Sequence, residues 1–133
     1  MNFLLDTNIC IYIINKKPLH LIKKLISCDV SEICISSITL SELEYGVEKS
    51  KSPEKNRIAL NEFLAPFEIL SFDNDAAFHY GKIRAKLEKN GNLIGPLDLL
   101  IAAHCLSLNY ILVTNNEKEF CRIPELKVQN WIK

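Results

Sequence analysis

The sequence predicts an α/β fold, a three-layer α/β/α sandwich around a mostly parallel sheet of four or five strands, on three observations. Short, largely apolar runs recur along the chain at Phe3-Leu4-Leu5, Ile33-Cys34-Ile35, Phe67-Glu68-Ile69-Leu70 and Ile111-Leu112-Val113. Longer stretches with helical spacing separate them. The segment Pro96 to Leu108 is apolar nearly all round, as a helix buried against a sheet must be.

Taken in order, Phe3-Leu4-Leu5 reads as a buried strand ending at Asp6, and Asn8 to Ile14 as a short helix. Pro18 opens a second helix, with Leu19, Ile22 and Ile26 expected on its inward face. Ile33-Cys34-Ile35 is the second strand, and Ser36, Ser37 and Thr39 offer caps for the helix that follows. The polar stretch Glu48 to Arg57, with Pro53, is a turn, and a helix is expected from Glu54 to Leu64. The third strand precedes a helix from Asp73 to Lys89, which Asn90-Gly91-Asn92 stops. The Pro96 helix leads to the fourth strand, and a fifth is expected near Lys127-Val128-Gln129. No repeat or low-complexity stretch interrupts the pattern, so residues 1–133 are expected to form one domain.

Composition narrows the function classes. The chain is 48% hydrophobic and 24% charged, the balance of a compact soluble protein. Sixteen basic residues cancel sixteen acidic ones, so bulk charge does not point to nucleic acid. The five cysteines, Cys10, Cys28, Cys34, Cys105 and Cys121, form no C-x-x-C pair, which removes the usual zinc spacings and points to the reducing cytoplasm. No apolar run nears the ~18 residues that a membrane span requires. P-loop, G-x-S-x-G and zinc-type histidine motifs are absent. None of His20, His79 and His104 is assigned to catalysis, and His104 is expected as a core residue.

In a parallel α/β sheet, ligands bind beyond the carboxyl ends of the strands. Asp6 stands at one such end, Glu42 near the start of the third helix, Asp98 in the first turn of the buried helix, and Glu119 in the acidic group after the fourth strand. Each has a bland reading. Asp6 is a possible helix cap, Thr39-x-x-Glu42 a capping box, and Asp98 a helix-dipole partner. The stretch Thr114 to Phe120 reads mostly as a solvated turn. Their convergence on one crevice carries more weight. Carboxylates gathered beside a buried helix repel one another unless a divalent cation meets them, and hard oxygen ligands suit Mg²⁺ or Mn²⁺. Such ions serve phosphodiester hydrolysis.

The segments Leu5-Asp6-Thr7-Asn8, Ser41-Glu42-Leu43 with Tyr45-Gly46, Gly95-Pro96-Leu97-Asp98-Leu99-Leu100-Ile101-Ala102-Ala103 and Leu112-Val113-Thr114-Asn115-Asn116, with Trp131 near the end, give the chain a family likeness. It resembles the PIN-domain ribonucleases, in particular the VapC toxins of bacterial toxin–antitoxin pairs, over nearly its whole length. The resemblance implies a PIN-like sandwich and Mg²⁺- or Mn²⁺-dependent cleavage of RNA, with transfer RNA as the expected substrate. It assigns Asp6, Glu42 and Asp98 to the acidic positions, as catalytic and metal-holding residues. Thr7 and Thr114 match its hydroxyl positions. It further implies a homodimer, inhibition by a VapB antitoxin, and contact with operator DNA only through that antitoxin.

Where many relatives carry an aspartate, this chain has Asn116, so Glu119 is expected to serve as the fourth acid. Two basic clusters could guide RNA: Lys49, Lys51, Lys55 and Arg57, and Lys82, Arg84, Lys86 and Lys89. Arg84 is singled out for a phosphate or partner contact, because Ile83-Arg84-Ala85 also resembles the family. Two alternatives stay open. One is a phosphatase with Asp6 as nucleophile, disfavoured because Asn8 stands where D-x-D would place a second acid. The other is a PIN-like module that binds without cutting, which Asn116 would favour.

Overall fold

The computed structural model describes residues 1–133. Five strands, β1 (Phe3–Leu5), β2 (Ile33–Ser36), β3 (Glu68–Leu70), β4 (Ile111–Val113) and β5 (Lys127–Gln129), form one sheet in the order β3-β2-β1-β4-β5. Every pairing is parallel. Seven helices connect them: α1 (Thr7–Ile14), α2 (Leu19–Ile26), α3 (Ser37–Lys49), α4 (Pro53–Leu64), α5 (Asn74–Lys89), α6 (Pro96–Leu108) and α7 (Glu117–Phe120). No helix is long and apolar enough to cross a membrane.

The strands are apolar throughout because successive side chains enter opposite layers, and both layers are covered. Leu4, Cys34 and Leu112 face α5, α6 and the buried Phe120 ring of α7. Phe3, Leu5, Ile33, Ile35 and Val113 face the other way, onto α1 to α4 and the Trp131 ring. Each fully buried leucine or isoleucine contributes roughly 1.5–3 kcal/mol, and both cores contain several. The three-layer sandwich expected from the sequence is therefore what forms, with all five strands present.

Local chemistry sets the helix starts. The side chains of Asp6, Ser36 and Asp73 accept backbone N–H bonds from Ile9 (2.9 Å), Ile38 (3.0 Å) and Ala76 (3.0 Å). Proline opens α4 and α6, where its missing N–H costs nothing. After α5, Gly91 takes φ 68°, a left-handed conformation that glycine adopts without strain.

Three expectations are corrected. The inward face of α2 is not Leu19, Ile22 and Ile26: Leu19 is 66% and Ile26 75% exposed. Leu21 is buried instead, with Ile22 and Leu25 packed beside it. The helix carries two overlapping apolar sets, and tertiary packing selects the one that reaches β1 and β2. The Thr39–Glu42 capping box does not form, because α3 is already capped at Ser36. Thr39 lies inside the helix with its buried hydroxyl unpartnered, and Glu42 turns to Thr7. The stretch expected as a polar turn contains α7, pinned by the fully buried Phe120.

The chain winds outward from β1 through β2 to β3, then returns to the other side of β1 as β4 and β5. The direction of winding switches between β1 and β4. That junction is where a doubly wound sheet opens a crevice.

Candidate active site

The crevice is built on the two strands that meet at the switch. Leu5 lies opposite Val113, so Asp6 and Thr114 are the first residues beyond their respective strand ends. The Asp6 N–H donates to the Val113 carbonyl (3.0 Å), which locks the two ends together. The Asp6 side chain is 4% exposed. Burial pushes its carboxyl above the usual carboxylate range, against hydrogen bonds from the Thr114 hydroxyl and the Ile9 N–H. The facing Glu42 pushes it further up.

Glu42 reaches the same place from α3. The Thr7 hydroxyl donates to Glu42 Oε1 at 2.5 Å, which ties the first turn of α1 to α3 across 35 residues of sequence.

The second half comes from α6 and α7. Asp98 stands in the first turn of α6, where Pro96 and the buried Leu99 fix the helix. Burial, then the charges of Glu119, Asp6 and Glu42, pushes its carboxyl up to about 6. Three other carboxylates are thus close enough to act on Asp98. Glu119 behaves oppositely. The Gly95 N–H donates to its Oε1 (2.7 Å) and Asn116 Nδ2 to its Oε2 (3.0 Å), which holds it below the usual range.

Asn116 joins the halves. Its N–H donates to Thr114 Oγ1 (2.9 Å), while its side-chain amide bonds both Glu119 and Asp98. A chain of contacts therefore runs from Asp6 through Thr114 and Asn116 to Asp98 and Glu119. Gly95 is the close neighbour: a Cβ there would lie 3.6 Å from Glu119 Oε1 and 3.9 Å from Asp98 Oδ2. Nothing in the local sequence marks Gly95 for a role. Its N–H donation to Glu119 is a site function that only the fold reveals, because the partners are 24 residues apart.

None of the four acids forms an ion pair with lysine or arginine. The donor set is all oxygen and its charges are uncompensated, which fits a hard divalent cation. As folded, no three His, Cys, Asp or Glu side chains close on one point as a preformed cage would. That openness suits Mg²⁺, which keeps several waters and takes one or two carboxylates rather than an all-protein shell.

The other singled-out residues lie elsewhere. Arg84 bonds Tyr80 Oη (2.8 Å) and faces Glu88 (3.6 Å), both on its own helix α5. Arg57 is tied to Glu44 and Glu48, which neutralises much of the first basic cluster. His104 is buried as expected, with Nδ1 2.8 Å from Ser36 Oγ. All five cysteines are free. Beside the carboxylates, an apolar groove of about 260 Å³ between α1, α3 and α4 has Glu42 in its wall, with Ile11, Leu43, Val47 and Leu60.

Carboxylates massed at the switch point of a five-stranded parallel sheet define a class of nuclease fold, and the PIN domain model matches residues 3–126. The chain belongs to the PIN-domain family and, within it, to the VapC ribonucleases. The tRNA(fMet)-specific endonuclease VapC of Salmonella typhimurium is 46% identical over 131 residues, 98% of each chain. Ribonuclease VapC2 of Rickettsia felis is 49% identical over 134 residues, the full length of both. The fold agrees with a crystal structure of DNA-bound VapBC from S. typhimurium (TM-score 0.93, 46% identity, 98% of each chain). It agrees equally with R. felis VapBC2 bound to a promoter DNA fragment (TM-score 0.91, 48% identity, 98% of this chain and 99% of that one). The activity is endoribonucleolytic, and the phosphatase alternative and the non-cutting module are set aside.

Proposed function

We propose that the chain is the toxin of a toxin–antitoxin pair and cleaves transfer RNA at the Asp6–Glu42–Asp98–Glu119 crevice with Mg²⁺ or Mn²⁺. One observation carries the site assignment: burial and the three neighbouring acids raise Asp98 to about 6, and no cation of the protein compensates them. Asp6, Glu42 and Asp98 would hold the ion, with Glu119 at the rim. When bound, it supplies positive charge where the scissile phosphate gains negative charge and acidifies water in its shell.

The protein's own residues orient this centre. Thr114 and the Ile9 N–H fix the Asp6 carboxylate, and the Thr7 hydroxyl fixes Glu42. Gly95 and Asn116 hold Glu119 ionised and aimed. Asn116 supplies an amide where an aspartate would add a further charge, so one tightly held ion suffices for this donor set.

Transfer RNA as substrate rests on the name of the S. typhimurium relative. A VapB-type antitoxin is supported by the relatives crystallised as VapBC complexes, and contact with promoter DNA would run through that partner. The apolar groove that opens beside Glu42 would let such a partner cover the acids. Homodimerisation, a single domain over residues 1–133, and a cytoplasmic setting suited to five free cysteines complete the reading.

The deciding experiment is cleavage of a defined transfer RNA pool by the purified chain in Mg²⁺, Mn²⁺ and EDTA, beside Asp98→Asn. Cleavage is expected only with a divalent ion and only by the parent. Equal cleavage by the variant would overturn the site assignment.

A further inference from the structure

On the α5 side of the molecule, two adjoining cavities of about 430 and 150 Å³ share Ile83, Lys86 and Glu125 and make one continuous groove. Its floor is apolar: Ile83, Leu87, Leu106 and Ile123. Its rim is cationic. His79, Lys82 and Lys86 stand on one face of α5 at helical spacing, and Arg122 faces them from the segment after α7. Asn90 and Asn92 add amides at the Arg122 end, and Glu125 is the single acid. The basic cluster seen in the sequence is thereby divided. Lys82 and Lys86 line the groove, while Arg84 is occupied by Tyr80 and Glu88.

The groove runs towards the carboxylates. Arg122 donates its backbone N–H to the Glu119 carbonyl (3.2 Å) and its Nη1 to the Leu93 carbonyl (3.0 Å). Leu93 is two residues from Gly95, whose N–H holds Glu119. A polymer reaching the crevice from this side meets Lys82, Lys86 and Arg122 in sequence before it meets the acids.

The acids themselves repel phosphates, so a polyanionic substrate needs compensating cations nearby. We propose that this groove binds the RNA backbone on one side of the scissile bond, with Lys82 and Lys86 contacting phosphates and Arg122 marking the passage into the active site. The proposal rests on the ribonuclease reading for the identity of the polyanion. The Lys86–Glu125 pair (2.9 Å) is then a placeholder, with the carboxylate standing where a phosphate will sit.

The test is binding of a labelled twenty-nucleotide single-stranded RNA in EDTA, read by fluorescence anisotropy across a salt series, so that no cleavage is needed. Lys82→Ala/Lys86→Ala is expected to weaken binding about tenfold and to flatten the log–log salt dependence by about 1, as lost phosphate contacts require. Glu125→Gln, which frees Lys86, is expected to tighten binding about threefold, a gain that misfolding does not produce. Lys49→Ala/Lys51→Ala removes the same charge from the α3–α4 turn and is expected to cost less. Equal losses from the two double variants would overturn the proposal, since bulk charge would explain them. Unchanged affinity in Lys82→Ala/Lys86→Ala would overturn it too. If that variant also lost its native subunit mass in sedimentation, the groove would be reassigned to an interface between copies of the chain. Binding that follows the groove residues in a chain that cuts no RNA would sink the nuclease reading and leave the groove standing.

Discussion

The two halves of the carboxylate crevice are built by different means. The Asp6–Thr7–Glu42 half grows from the end of β1, at the centre of the sheet, and its aspartate is also a helix cap. The Asp98–Asn116–Glu119 half is assembled from the first turn of α6 and the four-residue α7, held by side-chain amide and backbone N–H bonds. In the first half a charge is held by architecture, in the second by a small hydrogen-bond network. Asp98 and Glu119 show what this does: acting on neighbouring acids, burial raises one while N–H donors lower the other. Environments that drive neighbouring pKa values apart sort the groups into different roles.

The comparison breaks most sharply under substitution. Asp6→Asn and Asp98→Asn should each lower kcat for RNA about 10²–10³-fold, the scale of losing one charge-stabilising group. The alanine variants should separate the halves by stability. Asp6→Ala loses the cap on Ile9 and should cost about 1 kcal/mol in urea unfolding. Asp98→Ala relieves repulsion and should leave metal-free stability unchanged or raised. A large stability loss at Asp98 would mean that the two halves are built alike.

Asn116→Asp comes next. It replaces the donor to Glu119 with a repelling charge and should cost the metal-free protein about 1 kcal/mol. Added Mg²⁺ should restore the loss, and calorimetry should show tighter ion binding than in the parent.

Acidity separates the halves by sign. Asp98 binds its proton more tightly folded than unfolded, so its contribution to stability is present at low pH and is lost as pH rises from 3.8 through about 6. Glu119 is depressed, so its contribution is present above its ordinary 4.5 and is lost on acidification. In EDTA, Asp98→Asn should flatten the fall in stability between about pH 4 and 6. Because protons compete with cations for Asp98, Mg²⁺ affinity should weaken below about pH 6.

The smallest expected effect is at Thr7. Thr7→Val removes the bond to Glu42 and should lower activity several-fold, the worth of about 0.5–1.5 kcal/mol, with little change in ion affinity.

The same division governs what the sequence disclosed. Strands β1, β2 and β4 and helix α6 were legible, because short apolar runs buried on both faces and a proline-started apolar helix have few other readings. Asp6 was legible from its place after a strand. The α2 face was not, since Leu19 and Leu21 belong to rival apolar sets that only packing decides. Nor was the Thr7–Glu42 bond, which displaced a plausible local box with a long-range partner. Helix α7 and the Gly95 N–H were hidden because a polar stretch with one phenylalanine looks like loop, and its anchor lies far off in sequence.

That lone anchor has a consequence. Phe120 is the one buried residue of α7, so a single ring keeps Asn116 and Glu119 against Asp98. Local opening of so short an element costs far less than melting the sheet. The enzyme thus has a cheap way to fall silent: undoing one latch at the periphery scatters half of its acids while the body of the molecule keeps its shape.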